Sequence, residues 1–253
     1  MALESNAIIE TGAAALLFAA TFLVGGRVHP FRSLIRERRS FLSFGAGMSA
    51  AYVFVHVMPE LNDARRAFVE SVSVTLRYEG MAIYFLALVG FLLFYGLEHQ
   101  SKYLRETAGA GEAGEAGEAG PSFKLSIGGF AAYVWLMAYL LVNHFGDTLV
   151  SIELYAIALT FHFLSLENSL RHEHGAAYQR VGRFVLAGMA LLGWVMGLLF
   201  ALPNHVLALL VAFISGAIIM NSLIMELPAE KGGRFWPFMT GGIVYGLILL
   251  PLG

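Results

Sequence analysis

Apolar residues run along this chain in long, almost unbroken stretches rather than in alternation. Eight stretches approach the roughly 20 residues that a helix needs to cross a hydrocarbon core of about 30 Å. They fall at about 6–26, 41–61, 80–98, 124–143, 149–169, 181–201, 205–225 and 235–252, and each predicts a membrane-spanning helix. A transmembrane barrel alternates apolar and polar residues in units of about ten. These runs are apolar throughout, which argues against strands. The opening MALESNAIIE is acidic and has no basic n-region, so the first span reads as retained rather than as a signal peptide.

Composition supports the same class. Of 253 residues, 58% are hydrophobic and 13% charged, with a mean hydropathy of +0.69, where soluble chains carry about 25% charged residues. That excludes a cytosolic enzyme, a nucleic-acid binder and a disordered, tail-rich protein. A formal charge of -2, from 16 basic and 18 acidic residues, supplies no basic field for phosphate backbones. With no cysteine, disulfides, thiolate metal sites and cysteine nucleophiles are all excluded. The expected fold is an all-α integral membrane protein, an eight-helix transmembrane bundle forming a single domain over 1–253.

The basic residues orient that bundle. With the N-terminus outside, the inside loops hold Arg27, Arg32, Arg36, Arg38 and Arg39; Lys102, Arg105 and Lys124; Arg171, Arg180 and Arg183; and Lys231 and Arg234. The outside loops hold only Arg65, Arg66 and Arg77. Thirteen against three is a strong positive-inside bias, so both termini are expected outside. The third loop contains AGAGEAGEAGEAG at 108–120. Glu, Ala and Gly in triplets bury little apolar area, which predicts a flexible cytoplasmic linker over 106–122.

Two spans carry one pattern. Span two reads FGAGMSAAYVFVHVMPEL from Phe44, and span seven reads FISGAIIMNSLIMELPAE from Phe213. Gly follows Phe by three residues in both (Gly47, Gly216), and Pro follows that Gly by twelve (Pro59, Pro228). The two spans run in opposite directions through the membrane. That predicts an inverted repeat of spans 1–3 and 6–8, an architecture common among secondary transporters.

These segments resemble the ZIP family of divalent-metal transporters. Gly47, His56, Pro59 and Glu60 match the family's span-two pattern; Phe213, Gly216, Leu223, Leu227 and Pro228 match its span-seven pattern, with Ala229 replacing an acid. The resemblance implies a 3+2+3 arrangement, with the first and last three spans related by a pseudo-two-fold around spans four and five, and both termini outside. It also implies zinc, iron or manganese as the transported ion, and it covers nearly the whole chain. The departures fall on the metal motifs. The family's span five carries H-[DE]-x-P-[HE]-E; here the stretch is His162, Phe163, Leu164, Ser165, Leu166, Glu167. The family's span-four motif, H-N-x-x-[DE]-G, falls on Tyr133 to Ala138, which offers no hard metal ligand. A second alignment uses Asn143, His144, Phe145, Gly146 and Asp147, but leaves too little chain for a separate helix around His162.

The residues offer candidate ligands of their own. Without thiolates, zinc takes imidazole and carboxylate. His56 and Glu60 form an i,i+4 pair on one face of span two, suited either to shared ligation or to a hydrogen bond at the span's outer end. His162 lies mid-span, where ionisable groups are costly and face a cavity or a partner; Ser165 shares its face. Glu167 sits about 140° around a regular helix from His162, so the two do not chelate one ion. Glu98 and His99 close span three, and Glu167, Asn168, Arg171, His172, Glu173 and His174 form a polar cluster below span five, read as a solvated loop. Glu226 and Glu230 are one turn apart after span seven, and Asn221 is expected to bond a neighbouring helix.

Two readings follow. In the first, the chain is a ZIP-like transporter carrying divalent cations to the cytoplasm, with His162 as central ligand, His56 and Glu60 as outer contacts, and Glu167 or Glu98 as the inner one. Zinc or another divalent ion is then the substrate; no firm cofactor is expected. In the second, a ZIP-fold protein without transport activity binds a membrane partner through its basic first loop. No nucleophile–base spacing inside a span indicates an enzyme. The expected surroundings are a lipid bilayer, the bacterial inner (plasma) membrane, with a homodimer and a divalent metal ion as partners and no nucleic acid.

Overall fold

The structure, a computed structural model, describes residues 5–25, 38–71, 79–107, 120–143, 149–222 and 233–250. Among them there is helix and no strand. Helix α1 covers Ser5–Val24. Helix α2, Arg38–Tyr52, passes through a π-helical turn at Val53–Val57 into α3, Met58–Ser71. There follow α4 at Glu79–Thr107, α5 at Pro121–Asn143 and α6 at Leu149–Ala177. A second π turn, Tyr178–Gly182, leads into α7, Arg183–Leu199. The last helices are α8, Asn204–Met220, and α9, Phe235–Leu249.

Among the described residues, four helical stretches are long and apolar enough to cross a membrane: Asn6–Val24, Gly80–Thr107, Pro121–Asn143 and Tyr155–Leu199. The last of these contains Gly175, whose φ of 47° and ψ of -116° interrupt the helix. Only a residue without Cβ adopts that backbone at no steric cost, so Gly175 divides the stretch into the predicted spans five and six. Asn204–Met220 and Phe235–Leu249 are shorter apolar helices. This is a helical membrane protein.

Several boundaries differ from expectation. The helix starting in span two runs on to Ser71, because Asn62, Asp63, Arg65 and Arg66 continue a polar-faced helix beyond the apolar run. Helix α4 likewise continues through Glu106 and Thr107, and α5 begins at Pro121, whose missing N–H suits a first turn. The linker predicted over 106–122 is therefore helical at both margins; 108–119 lie outside the described residues. His172, Glu173 and His174 belong to α6 rather than to a loop. Pro228, Leu223, Leu227, Ala229, Glu226, Glu230 and His144 to Asp147 also lie outside the described residues.

Apolar burial cannot hold helices together where lipid is equally apolar; close packing of small residues does. Helix α2 packs on α9, α4 on α8, and α5 on α7. At each crossing a glycine admits a neighbouring backbone. A Cβ on Gly47 would overlap Phe238 O, and one on Gly241 would overlap Phe44 O. At the second crossing Gly216 lies against Ala87 O, and Gly90 against Phe213 O. The two crossings use one scheme: Phe44 and Gly47 on α2 do what Phe213 and Gly216 do on α8. The first is parallel, since Gly242 meets Gly47 and Gly246 meets Ala51 one turn on. Helix α8 runs antiparallel to α2, because α8 packs on α3, the continuation of α2, while Ser222 beyond the C-terminal end of α8 bonds back to Ser49 on α2 at 2.9 Å. At the third crossing Gly193 meets Trp135 O and Gly197 approaches Tyr139 O. Helix α1 packs against α6 and α7, where Phe18 and Phe22 enclose Phe163 with ring centroids 5.2 and 5.3 Å away.

Candidate functional site

A small cleft opens between α2, α6 and α9, lined by Gly45, Met48, Ser49, Tyr52, Phe161, His162, Ser165 and Tyr245. Each polar wall residue has a local reason to point inward. His162 and Ser165 are three residues apart on α6, hence on one face. Tyr52 is the last residue before the π turn at Val53–Val57; the wider turn displaces the helix surface, a feature frequent at functional positions. Gly241, by admitting Phe44 O, brings α9 close enough for Tyr245, four residues on, to reach the same space.

His162 is 5% exposed. Its Nε2 and the Tyr133 hydroxyl of α5 are joined by a 2.7 Å hydrogen bond. Tyr133 thus joins α5 to α6 through a phenol and an imidazole. The hydroxyls of Tyr52 and Tyr245 are buried with no hydrogen-bond partner. Ser49 supplies a further hydroxyl, already bonded to Ser222.

Toward the end of α2 assigned to the outside, His56 stacks on Tyr52 with centroids 5.1 Å apart and lies 6.3 Å from the Tyr155 ring of α6. His56 Nε2 and Glu60 Oε2 are 3.9 Å apart, the expected pair. Toward the other end, Glu167 is 1% exposed. One of its oxygens lies 3.3 Å from Arg171 Nε, and the other is buried without a hydrogen-bond partner. A Cβ at Gly25 would come within 3.1 Å of that oxygen. Tyr178, just beyond, buries an unpartnered hydroxyl.

Four of the five candidate ligands thus lie on two packed helical segments, α2 with its continuation and α6, in the order Glu60, His56, His162, Glu167. Glu98 is elsewhere: it lines a separate cleft between α4 and α5 and pairs with Lys102 Nζ at 3.1 Å. His162 bonds to α5 while Glu167 turns to α1, so the structure, like the helical geometry, keeps them apart. Among the described residues no three His, Asp or Glu side chains converge as a metal-ligand group. His174 packs edge-on to Phe123; burial lowers its pKa, Glu173 opposing and Arg105 reinforcing that shift. Phe163 and Leu166, standing at polar motif positions, are buried packing residues. Asn143 donates to Tyr139 O and Gly197 O. Asn221 corrects the expectation of a helix-bridging amide: it is 2% exposed, and neither amide atom has a hydrogen-bond partner.

The reading from sequence missed Tyr52, Tyr133 and Tyr245. The available signal was a tyrosine deep inside an apolar run, which carries a polar tip that needs a partner or a cavity. No protein-family model, curated protein or solved structure matches this chain.

Proposed function

We propose that this protein is a ZIP-like membrane carrier that moves divalent metal cations toward the cytoplasm, built as an inverted repeat of spans 1–3 and 6–8. The observation that carries the reading is the row of polar side chains on two packed segments: the half-buried Glu60 and His56, then the buried His162 with Tyr133, then the buried Glu167. Polar groups at such depth are expensive unless they serve a path or a partner. Support for the repeat comes from the paired crossings, where Phe44 with Gly47 and Phe213 with Gly216 make the same backbone contacts.

The cation is the substrate. His56 and Glu60 receive it at the outer mouth, exchanging water for imidazole and carboxylate. His162 lines the central cleft, where Tyr52, Tyr245 and Ser49 replace hydration water with hydroxyl oxygen. Glu167, with one carboxylate oxygen unbonded, draws it to the inner side. A site this poor in anions holds a divalent ion weakly, which favours release over storage.

A second reading has one observation in its favour. Tyr133 already occupies Nε2 of His162, as in a polar contact that only joins helices, and a ZIP-fold protein that binds a membrane partner without transport needs nothing more. Uptake of zinc, iron(II), manganese and cadmium into proteoliposomes separates the two. A carrier gives saturable uptake that His162→Ala reduces by about tenfold or more, the range seen when a site loses an ordering or ligating group. Uptake no greater than that of empty liposomes for every ion rejects it in favour of the second reading.

A further inference from the structure

The cleft between α4 and α5 is not used by that path. It is a shallow cleft lined by Phe94, Leu97, Glu98, Ser126, Gly129 and Phe130. Glu98 and Ser126 are 6% and 4% exposed. The Ser126 hydroxyl has no hydrogen-bond partner, and neither has Glu98 Oε1, whose contact is the ion pair with Lys102. Lys102 is itself half exposed at 51%. The cleft is therefore an acid and a hydroxyl in the wall, a base at the rim, and two phenyl rings one turn deeper in the membrane.

The seam faces lipid. Leu92, Leu93 and Tyr95 on α4 are exposed, and Gly96 and Gly128 have no other group within 4 Å of an added Cβ. Glu98 closes a predicted span at its cytoplasmic end, so acid and base stand at the level of lipid headgroups. A carboxylate with an ammonium 3.1 Å away is a small dipole, and its complement is a zwitterion of opposite order. Ammonium beside Glu98 and Ser126 gains charge-assisted hydrogen bonds from its own N–H groups, and an adjoining phosphate meets Lys102.

We propose that the α4–α5 cleft binds the headgroup of a phosphoethanolamine lipid, with its primary ammonium on Glu98 and Ser126, its phosphate on Lys102, and its acyl chains along the exposed face beside Leu93 and Leu97. A trimethylated headgroup has no N–H to donate and is the natural discriminator. This site stands independently of metal transport.

The test is lipid retention by the full-length, delipidated protein, read by native mass spectrometry during titration with phosphatidylethanolamine, phosphatidylcholine or phosphatidylglycerol of identical chains. The expected result is retention of the ethanolamine lipid about tenfold better than the choline lipid, the scale of losing charge-assisted hydrogen bonds. Glu98→Gln and, separately, Ser126→Ala should erode that ratio while leaving the melting temperature of the purified protein near wild type. Ser126→Ala removes one atom and keeps the fold testable should Glu98→Gln fail to express. Equal retention of the three lipids, or a preference unchanged in both variants, overturns the proposal. Soluble phosphoethanolamine displacing the lipid at equal concentration overturns the lipid as occupant.

Discussion

At the scale of single residues, buried aromatic side chains around His162 play two different parts. Phe163 serves packing: it is fully buried between Phe18 and Phe22. Phe163→Ala should cost about 3 kcal/mol of stability, whereas Phe184→Ala, on a side chain 54% exposed, should cost little; unfolding in detergent measures both. Tyr133 instead presents a polar tip, because its hydroxyl meets His162. Tyr133→Phe deletes that bond at nearly constant volume and should cost about 1 kcal/mol. Sequence patterns made His162 stand out, since an imidazole inside an apolar run is conspicuous. They did not make Tyr133 stand out, since a tyrosine there passes for packing until its partner is known.

At the scale of elements, the glycines explain how apolar helices choose neighbours in an apolar solvent. Gly47 and Gly216 admit a facing carbonyl so closely that any Cβ collides with backbone, which cannot swing aside as a side chain does. Gly47→Ala and Gly216→Ala should each lower the yield and melting temperature of the purified protein sharply. Gly188→Ala, where nothing lies within 4 Å, should leave both unchanged or slightly raised through better helix propensity. Equal behaviour of the three variants would contradict the role given to the crossings. Spacing alone suggested that Phe44 with Gly47 and Phe213 with Gly216 were a repeat. It gave no means of knowing that the partners would be α9 and α4, because those contacts join residues far apart in the chain.

At the scale of the molecule, the distribution of arginine and lysine predicts sidedness, and the absence of cysteine makes the prediction easy to test. Single substitutions Glu70→Cys, Glu106→Cys and Arg180→Cys fall at exposed positions. In intact cells a membrane-impermeant maleimide should label the first alone, and the other two only after permeabilisation. The opposite pattern would invert the orientation.

Hydrophobic run length determined the helical membrane class by itself, because a bilayer permits an apolar segment few other structures. Run length also set the approximate segment positions, though polar-faced helix carried α3 and α4 past the apolar ends. Tertiary structure alone decided which polar groups work together. It put His162 beside Tyr133 and the hydroxyls of Tyr52, Tyr245 and Ser49, and it moved Glu98 into a different cleft with Ser126. The reason is physical: a side chain's depth follows from its position in a span, but its neighbours follow from which backbone can approach which, and that was set by a handful of glycines.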